Sequence, residues 1–369
     1  MSTLTENTYQ KFDLLCSTVQ GCQKCLRMQG STRVLNRGAG KIDAPIMFVG
    51  EAPGRLGADS SGLPFHGDKA GHNFEELLGF ADLTRGSVFV TNAVLCNPKD
   101  EKGNNASPNQ TEIANCSLYL KQQVDLVNPK IIVSLGANAL KALSLIEQHE
   151  LSLSDSVRTS NHWYGRILIP LYHPGQRAMI HRSFANQRSD YQFVVEQLRR
   201  IGAVPKSVYG KTKADIAAVA EVIVSARSEL SYFALHKLFY LIELAHIKNY
   251  GEQLTKAFFI RQKDGPYCVD LHPQKLRKVL PSLEFEAKHG QLIVSRTQKQ
   301  LFLLPRKVGD TLPKKVKEEI LEILSKYCGL EDSKLKTKVY LTRPMRKILR
   351  EEKTKGVNMY NTPIDFYCR

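Results

Sequence analysis

The sequence is poor in cysteine and has no long apolar run. Eight cysteines among 369 residues are too few for a small domain held together by disulfide bonds. No apolar stretch approaches the ~18 residues that a membrane-spanning helix needs, so we expect no membrane association. The first residues also lack the basic stretch followed by an apolar one that marks a secretory signal. We therefore expect a cytoplasmic protein, in which paired cysteines more often bind a metal than form a bridge.

Basic residues outnumber acidic ones, and the excess lies mostly in the second half. The hydrophobic fraction of 42% and the charged fraction of 24% are those of a globular protein, and the length predicts two domains. The formal net charge is +16, of which +3 belongs to residues 1–205 and +13 to residues 206–369. A strongly basic half favours a polyanionic partner, most simply nucleic acid. A solubilising basic surface would give the same composition.

Short apolar runs alternate with helical patterns in the first half. This alternation predicts an α/β fold, a three-layer α/β/α sandwich with a central four-stranded parallel sheet. Ligands of such sheets bind beyond the carboxyl ends of the strands, here after Val49, Val90, Ser134 and Leu171. The strands are expected at 45–50, 88–94, 130–135 and 167–171, and the helices near 71–81, 110–127, 136–147 and 184–201.

A segment with Gly and Pro, residues 202–210, predicts a linker, and the pattern changes beyond it. The second half is mainly helical with a few β-like runs, which indicates an α+β domain. We expect domains at 1–205 and 214–369, joined by a linker at 206–213. The expected helices are 213–228, 235–250, 313–328 and 343–354, and the β-like runs are 257–261, 292–295 and 301–304.

Four cysteines have a spacing typical of a metal site. Cys22 and Cys25 form a C-x-x-C, Cys96 follows a predicted strand, and Cys116 lies on the next predicted helix. Four thiolates in this arrangement can hold a [4Fe–4S] cluster or a zinc ion. Spacing alone leaves the alternative that Cys96 and Cys116 are buried small hydrophobic residues.

Several ordered motifs give residues 12–200 a specific resemblance to a known family. Together with the cysteines, they resemble the iron–sulfur branch of the uracil-DNA glycosylase superfamily, between its families four and five. The resemblance implies an enzyme that flips an unusual pyrimidine out of DNA and hydrolyses its N-glycosidic bond, leaving an abasic site. It also implies that the four cysteines hold a [4Fe–4S] cluster, with zinc as the alternative. The motifs are Val49-Gly50-Glu51-Ala52-Pro53-Gly54, Gly62-Leu63-Pro64-Phe65-His66-Gly67, Thr91-Asn92-Ala93-Val94-Leu95-Cys96, Ser134-Leu135-Gly136-Ala137-Asn138-Ala139-Leu140 and Tyr172-His173-Pro174.

The same resemblance assigns residues to base recognition. Phe65 matches the aromatic residue that stacks on the flipped base. Asn92 matches the amide that reads the pyrimidine edge, because an amide offers both a donor and an acceptor. His173 matches the histidine that donates a hydrogen bond to the pyrimidine O2 as negative charge develops there. Gly50 is expected beside them in the base-binding site.

Glu51 and Asp59 are the candidate catalytic acids, because a carboxylate can orient the attacking water and stabilise positive charge on the sugar. The Gly-Glu-Ala-Pro-Gly motif around Glu51 is typical of family four. The longer loop 54–65, with the small residues Gly57 and Ala58, is closer to family five. We therefore expect room for a C5 substituent, with uracil as the substrate by family and a C5-modified cytosine of phage DNA as the second candidate.

Gly175, Gln176 and Arg177 occupy the family's duplex-wedge loop and are expected to contact DNA. The family usually has Ser or Ala where this sequence has Gly175. No lysine is placed as a Schiff-base nucleophile, so we expect a monofunctional glycosylase. Residues 62–69 are similar to a phosphate-binding P-loop, but a Ser or Thr after the lysine is missing, so we expect no nucleotide cofactor.

The second half, over residues 214–350, resembles the Panacea (SocA-like) domain. The resemblance rests on the run 235–243, on His246, on Tyr250-Gly251 and on the Gly265-Pro266 turn. It implies an accessory module of the kind found in antitoxins and phage-defence proteins, binding DNA, a protein partner or both. We expect a role in anti-phage defence, and the alternative function is a non-catalytic reader of damaged or modified DNA.

Overall fold

The chain folds as two units, each with its own hydrophobic core. The division falls between Val208 and Tyr209. The predicted linker at 206–213 lies outside the described residues. None of the described helices is long and apolar enough to cross a membrane. The computed structural model describes residues 3–202, 214–288, 290–297, 308–356 and 358–367.

A five-stranded sheet forms the centre of the N-terminal unit. Its strands are β1 (Ile46–Gly50), β2 (Phe89–Asn92), β3 (Ile131–Leu135), β4 (Asn161–Trp163) and β5 (Arg166–Leu171). Their order is β2-β1-β3-β5-β4, and the first four in this order are parallel, as predicted. The predicted four-stranded sheet needs one correction, because β4 adds a fifth, antiparallel edge strand. Three residues with only Trp163 buried do not form a recognisable apolar run.

Helices cover both faces of this sheet, which confirms the predicted three-layer sandwich. Because strand residues alternate between faces, Met47 and Val49 pack into one core cluster, and Ile46 and Phe48 pack into the other. The helices are α1 (Thr3–Gln20), α2 (Ala58–Ser61), α3 (Lys69–Phe80), α4 (Gln110–Val127), α5 (Ala137–Ser144), α6 (Leu153–Ser156) and α7 (Phe184–Arg200). Side chains of α1, α4 and α5 complete the first cluster, and side chains of α3 and α7 complete the second.

The C-terminal unit is the expected helical α+β domain, built around one central helix. That helix, 232–250, begins where the Ser231 hydroxyl accepts the Ala234 N–H at 2.9 Å, three residues before the predicted start. Three short strands form one sheet and two form a hairpin. The predicted run 301–304 lies outside the described residues. The elements are α8 (Ile216–Ser225), β6 (Glu229–Ser231), α9 (Tyr232–Tyr250), β7 (Phe259–Gln262), β8 (Gly265–Cys268), α10 (Pro273–Val279), β9 (Leu283–Lys288), β10 (Gln291–Arg296), α11 (Lys314–Tyr327), α12 (Asp332–Tyr340) and α13 (Arg343–Lys355).

Candidate active site

A cavity of about 270 Å³ opens beyond the carboxyl ends of β1, β2 and β5. This is the edge at which a parallel α/β sheet binds its ligands, and β1 and β2 end side by side there, with Gly50 opposite Asn92. The structure brings four of the predicted site residues together in one wall. The polar and aromatic side chains that line the cavity are Glu51, Phe65, Asp68, Asn92, Asn105 and His173.

Phe65 is held in a backbone conformation that few non-glycine residues adopt. Its φ angle is +49°, in the left-handed region. Its carbonyl accepts a hydrogen bond from Nη2 of the buried Arg85 at 2.8 Å, and Gly71 of α3 lies so close that a Cβ there would meet the Phe65 backbone at 2.7 Å. The phenyl ring is thereby fixed in the cavity wall, with its centre 5.4 Å from that of the His173 ring.

Asn92 lines the cavity and has a buried side-chain donor that is unsatisfied among the described residues. The residue is only 2% exposed, and its Nδ2 has no hydrogen-bond partner among the described residues. A buried amide without a partner costs free energy, which a ligand with an acceptor would recover. Gly50 allows this packing, because a Cβ there would stand 2.5 Å from both Asn92 Oδ1 and Phe65 Cε2.

The protonation of His173 is determined by the backbone. The Gly175 N–H donates to Nδ1 at 3.0 Å, so in the neutral ring the proton lies on Nε2. Burial lowers the pKa of His173 below its ordinary 6.5, while Glu51 and Asp68 act in the opposite direction. The ring is therefore a neutral N–H donor near neutral pH.

Gly175, where the sequence departs from the family, lies against this histidine. A Cβ at Gly175 would stand 2.8 Å from Nδ1 of His173, which is too close without a shift of the ring. The other end of the same peptide group is held as well, because Asn73 of α3 donates to the Pro174 carbonyl at 2.7 Å. Glycine therefore permits the short backbone hydrogen bond that orients the imidazole.

Asp68 is a cavity residue that sequence reasoning missed. It precedes α3 and caps it, because its Oδ1 accepts the Gly71 N–H at 2.8 Å. Its other oxygen lies against the loop, 3.0 Å from where a Gly54 Cβ would be and 2.4 Å from where a Gly57 Cβ would be. Gly57 thus makes room for Asp68 rather than for a ligand. An acidic residue between Gly67 and a predicted helix was the available signal.

Asp59, predicted as a catalytic acid, does not line the cavity. Its carboxylate accepts the Thr32 N–H at 2.7 Å and pairs with Lys99 at 3.3 Å. Through these contacts the Asp59 carboxylate links the segments that contain Thr32 and Lys99. Of the two acids predicted from the sequence, the structure places only Glu51 in the cavity wall.

The predicted DNA-contact loop begins a short 3₁₀ helix, Gln176–Ile180. Gln176 and Arg177 are exposed and can reach a ligand, whereas the Gly175 N–H is used by His173. Sequence reasoning missed Ile180 at the end of this helix, whose side chain is 84% exposed. A large apolar side chain with this exposure has no role in the core.

The four predicted cysteine ligands line a second, smaller cavity. They come from separate elements, since Cys22 and Cys25 follow α1, Cys96 follows β2, and Cys116 lies on α4. Burial raises the pKa of Cys96 to about 11 and that of Cys116 to about 12, and the neighbouring thiols contribute in the same direction. Asn115 donates to Cys25 Sγ at 3.5 Å.

The four thiols surround one shared space. Within the described residues, no three His, Cys, Asp or Glu side chains have the arrangement that holds a single metal ion. Burial disfavours the charged forms of the four thiols unless a positive group compensates, which an iron–sulfur cluster supplies.

Comparison with known proteins identifies the family. Residues 37–199 match the Uracil DNA glycosylase superfamily, and residues 235–344 match the "Antitoxin SocA-like, Panacea domain". The Type-4 uracil-DNA glycosylase of Sulfurisphaera tokodaii is 36% identical over 197 residues, 51% of this chain and 83% of that protein. The Type-4 enzyme of Thermotoga maritima is 34% identical over 163 residues, 44% of this chain and 80% of that protein. The Type-5 uracil-DNA glycosylase of Pyrobaculum aerophilum is 31% identical over 117 residues, 28% of this chain and 50% of that protein.

The protein is an α/β sandwich with a polar cavity at the carboxyl edge of its sheet. Together with these relatives, this architecture defines its class as a DNA glycosylase. The chain belongs to the uracil DNA glycosylase superfamily. This confirms the resemblance inferred from the five motifs and the cysteines. The second resemblance, to the Panacea domain, is also confirmed.

Proposed function

We propose that this protein removes uracil from DNA by hydrolysing its N-glycosidic bond. The observation that carries the proposal is the buried, unpartnered Nδ2 of Asn92, in a cavity that also holds a stacking ring and a neutral histidine donor. Uracil has acceptor oxygens at O2 and O4, which such donors can bind. A base must leave the duplex to reach this cavity, so the proposal includes base flipping.

Several residues of the cavity have separate roles in the proposed reaction. The flipped base stacks on Phe65, and Asn92 donates to its O4 edge. As the C1′–N1 bond breaks, its electron pair moves onto the base, and the Nε2–H of His173 donates to the O2 that gains negative charge. Glu51 orients a water and accepts one of its protons as the water oxygen bonds to C1′, and this proton then passes to the uracil anion. Asp68 stabilises the positive charge on the sugar in the transition state.

We propose that Cys22, Cys25, Cys96 and Cys116 hold a [4Fe–4S] cluster rather than zinc. When bound, the cluster would cross-link the segment after α1, the end of β2 and α4, without taking part in the hydrolysis. Measurement of iron and acid-labile sulfide in the purified protein tests this, with Cys16→Ser as the matched control for Cys116→Ser. Zinc without sulfide would contradict it.

We propose a cytoplasmic location for the protein. Its free cysteines and its proposed DNA substrate support this location.

Base release is the experiment that tests the proposed function. Purified protein is incubated with uracil-containing oligonucleotides, and free uracil and alkali-labile abasic sites are measured. His173→Ala and Asn92→Ala should each lower the single-turnover rate by about 10²–10³-fold, the usual effect of removing one transition-state donor. Tight DNA binding without base release would instead favour a non-catalytic reader of damaged or modified DNA.

We propose C5-modified cytosine of phage DNA as a second candidate substrate, excised in anti-phage defence. The supporting observation is that much of the cavity wall is formed by small residues, which leave space beside the base. They are Ala52, Pro53, Gly54, Ala58, Ala70 and Ala106. Genomic DNA from phages with modified cytosine, in parallel with unmodified DNA, tests this. Release of uracil alone would restrict the enzyme to repair. The Panacea domain supports a protein partner in the same setting.

A further inference from the structure

One helix of the C-terminal unit, α13, has an apolar face and a strongly basic face. Pro344, Met345 and Ile348 are buried. The opposite side carries four exposed cations spaced three, four and three residues apart, which places them on one face of a helix. They extend over about 15 Å, one charge every ~5 Å. We call this set, Arg343, Arg346, Arg350 and Lys353, the α13 basic stripe.

The acidic residues of the same helix do not neutralise the stripe. Glu351 pairs with Lys355 at 2.7 Å. Glu352 turns inward, where it accepts from Arg261 at 3.2 Å and from the Met359 N–H at 2.9 Å. In the part of the chain that the structure describes, no carboxylate lies within ion-pair distance of any stripe residue. The stripe therefore presents four uncompensated positive charges.

Several exposed lysines on the neighbouring helices have acidic partners. Lys314 and Lys326 of α11 pair with Glu318 and Glu322, at 4.0 and 2.6 Å. Lys334 of α12 pairs with its neighbouring acid at 3.8 Å. A basic surface that served only solubility would show the same interspersed charges throughout. On α13, by contrast, four exposed cations without a carboxylate partner among the described residues follow one line.

We propose that the α13 basic stripe binds the phosphate backbone of double-stranded DNA. A row of cations at regular spacing matches a row of phosphates, and three of the four are arginines, which bind phosphate oxygens through two N–H groups. A membrane surface is a poorer partner, because Met345 and Ile348 are already packed in the core and leave no apolar face to insert. The proposal concerns undamaged DNA and does not depend on the proposed excision of uracil.

The test is binding of the full-length protein to a uracil-free DNA duplex, measured by fluorescence anisotropy over a range of salt concentrations. In the variant R343Q/R346Q/R350Q/K353Q, the slope of log affinity against log salt should fall by about 0.9 for each phosphate that is no longer neutralised, roughly 3 to 4 in total. The matched control, K314Q/K326Q/K334Q/K338Q, removes the same net charge from exposed positions of α11 and α12. It should leave the slope nearly unchanged.

Three results would overturn the proposal. They are an unchanged slope in the stripe variant, an equally large fall in the control variant, and tighter binding of the wild-type protein to an RNA duplex of the same length. Circular dichroism melting of both variants shows whether the fold is retained. Because the duplex contains no uracil, failure of the stripe and failure of the proposed glycosylase are read from separate assays.

Discussion

At the scale of single residues, the site depends on where one proton lies. His173 accepts from the Gly175 backbone through Nδ1, so Nε2 carries the proton of the neutral ring, which in the proposed reaction is the one donated to the base. The sequence motifs predicted this histidine but not its partner, because the hydrogen bond depends on the local turn of the backbone between His173 and Gly175.

The pH dependence of the reaction should follow from the lowered pKa of His173. The neutral ring persists as the pH falls to 6.5, the ordinary histidine value, and protonation below that point removes the acceptor at Nδ1. The single-turnover rate should therefore be constant near neutrality and decline with an apparent pKa below 6.5. Asn92→Ala should be slower at every pH and keep the same acidic limb. A decline in rate with an apparent pKa above 6.5 would contradict the assignment of His173 as a neutral donor.

Two aspartates between β1 and α3, Asp59 and Asp68, give a matched comparison. Asp68→Asn keeps the helix cap but removes the charge from the cavity, so the rate should fall by roughly 10²-fold while stability changes little. The acidic limb should also move to lower pH, because Asp68 raises the pKa of His173. Asp59→Asn should do the reverse, weakening the contacts to Thr32 and Lys99 with little effect on the rate. An equal fall in rate in both variants would favour the sequence-based assignment of Asp59.

At the scale of elements, the first turn of α4 is bonded to the segment that follows Cys25. Asn109 and Glu112 exchange hydrogen bonds at 2.8 and 2.9 Å in a capping box, and Glu112 also binds Arg27, two residues after Cys25, at 2.6 Å. Arg27 lowers the pKa of the Glu112 carboxyl. The start of α4 thus holds the C-x-x-C segment in place.

Replacing Glu112 should therefore weaken the cysteine centre. Glu112→Gln removes the ion pair with Arg27, which should cost about 1–3 kcal/mol of stability and increase the rate at which iron is released to a chelator. Lys121→Gln is the control, because it breaks an exposed pair with Asp125 on the same helix. Equal iron release in both variants would show that the capping region does not support the site.

The exposed Ile180 at the end of the 3₁₀ helix should act on duplex DNA. A side chain that fills the gap left by a flipped base matters only where a partner strand remains. Ile180→Ala should raise KM for uracil in a duplex several-fold and leave KM for single-stranded DNA nearly unchanged. Leu118→Ala, at a 55% exposed position on α4, is the control. An equal effect on both substrates would argue against this role.

The sequence predicted elements well wherever burial alone decides them. The strands β1, β2, β3 and β5 were found because they are largely buried and read as continuous apolar runs. The strands β4, β6, β8 and β9 were missed. The first three have only three or four residues each, and β9 has only Leu283 and Phe285 buried. The sequence could not show that Asp68, and not Asp59, faces the cavity, because the turn of the loop between them decides which carboxylate points inward.

At the scale of the whole molecule, two separate hydrophobic cores predict two unfolding transitions. The single tryptophan, Trp163, is buried in the N-terminal unit, where its Nε1 donates to the Glu147 carbonyl at 2.7 Å. Fluorescence of Trp163 should therefore report one transition, and circular dichroism should report both. Cys22→Ser should lower the Tm of the fluorescence transition alone. Coincident transitions by both probes would indicate that the units unfold together.

The positions of the cysteines along the chain also set an order of assembly. Cys22, Cys25, Cys96 and Cys116 all precede β3, whereas His173 follows β5. During synthesis from the amino end, the complete set of thiols therefore leaves the ribosome before His173 is made. If the thiols hold the proposed cluster, its insertion can begin on the nascent chain, before the cavity that contains His173 is complete.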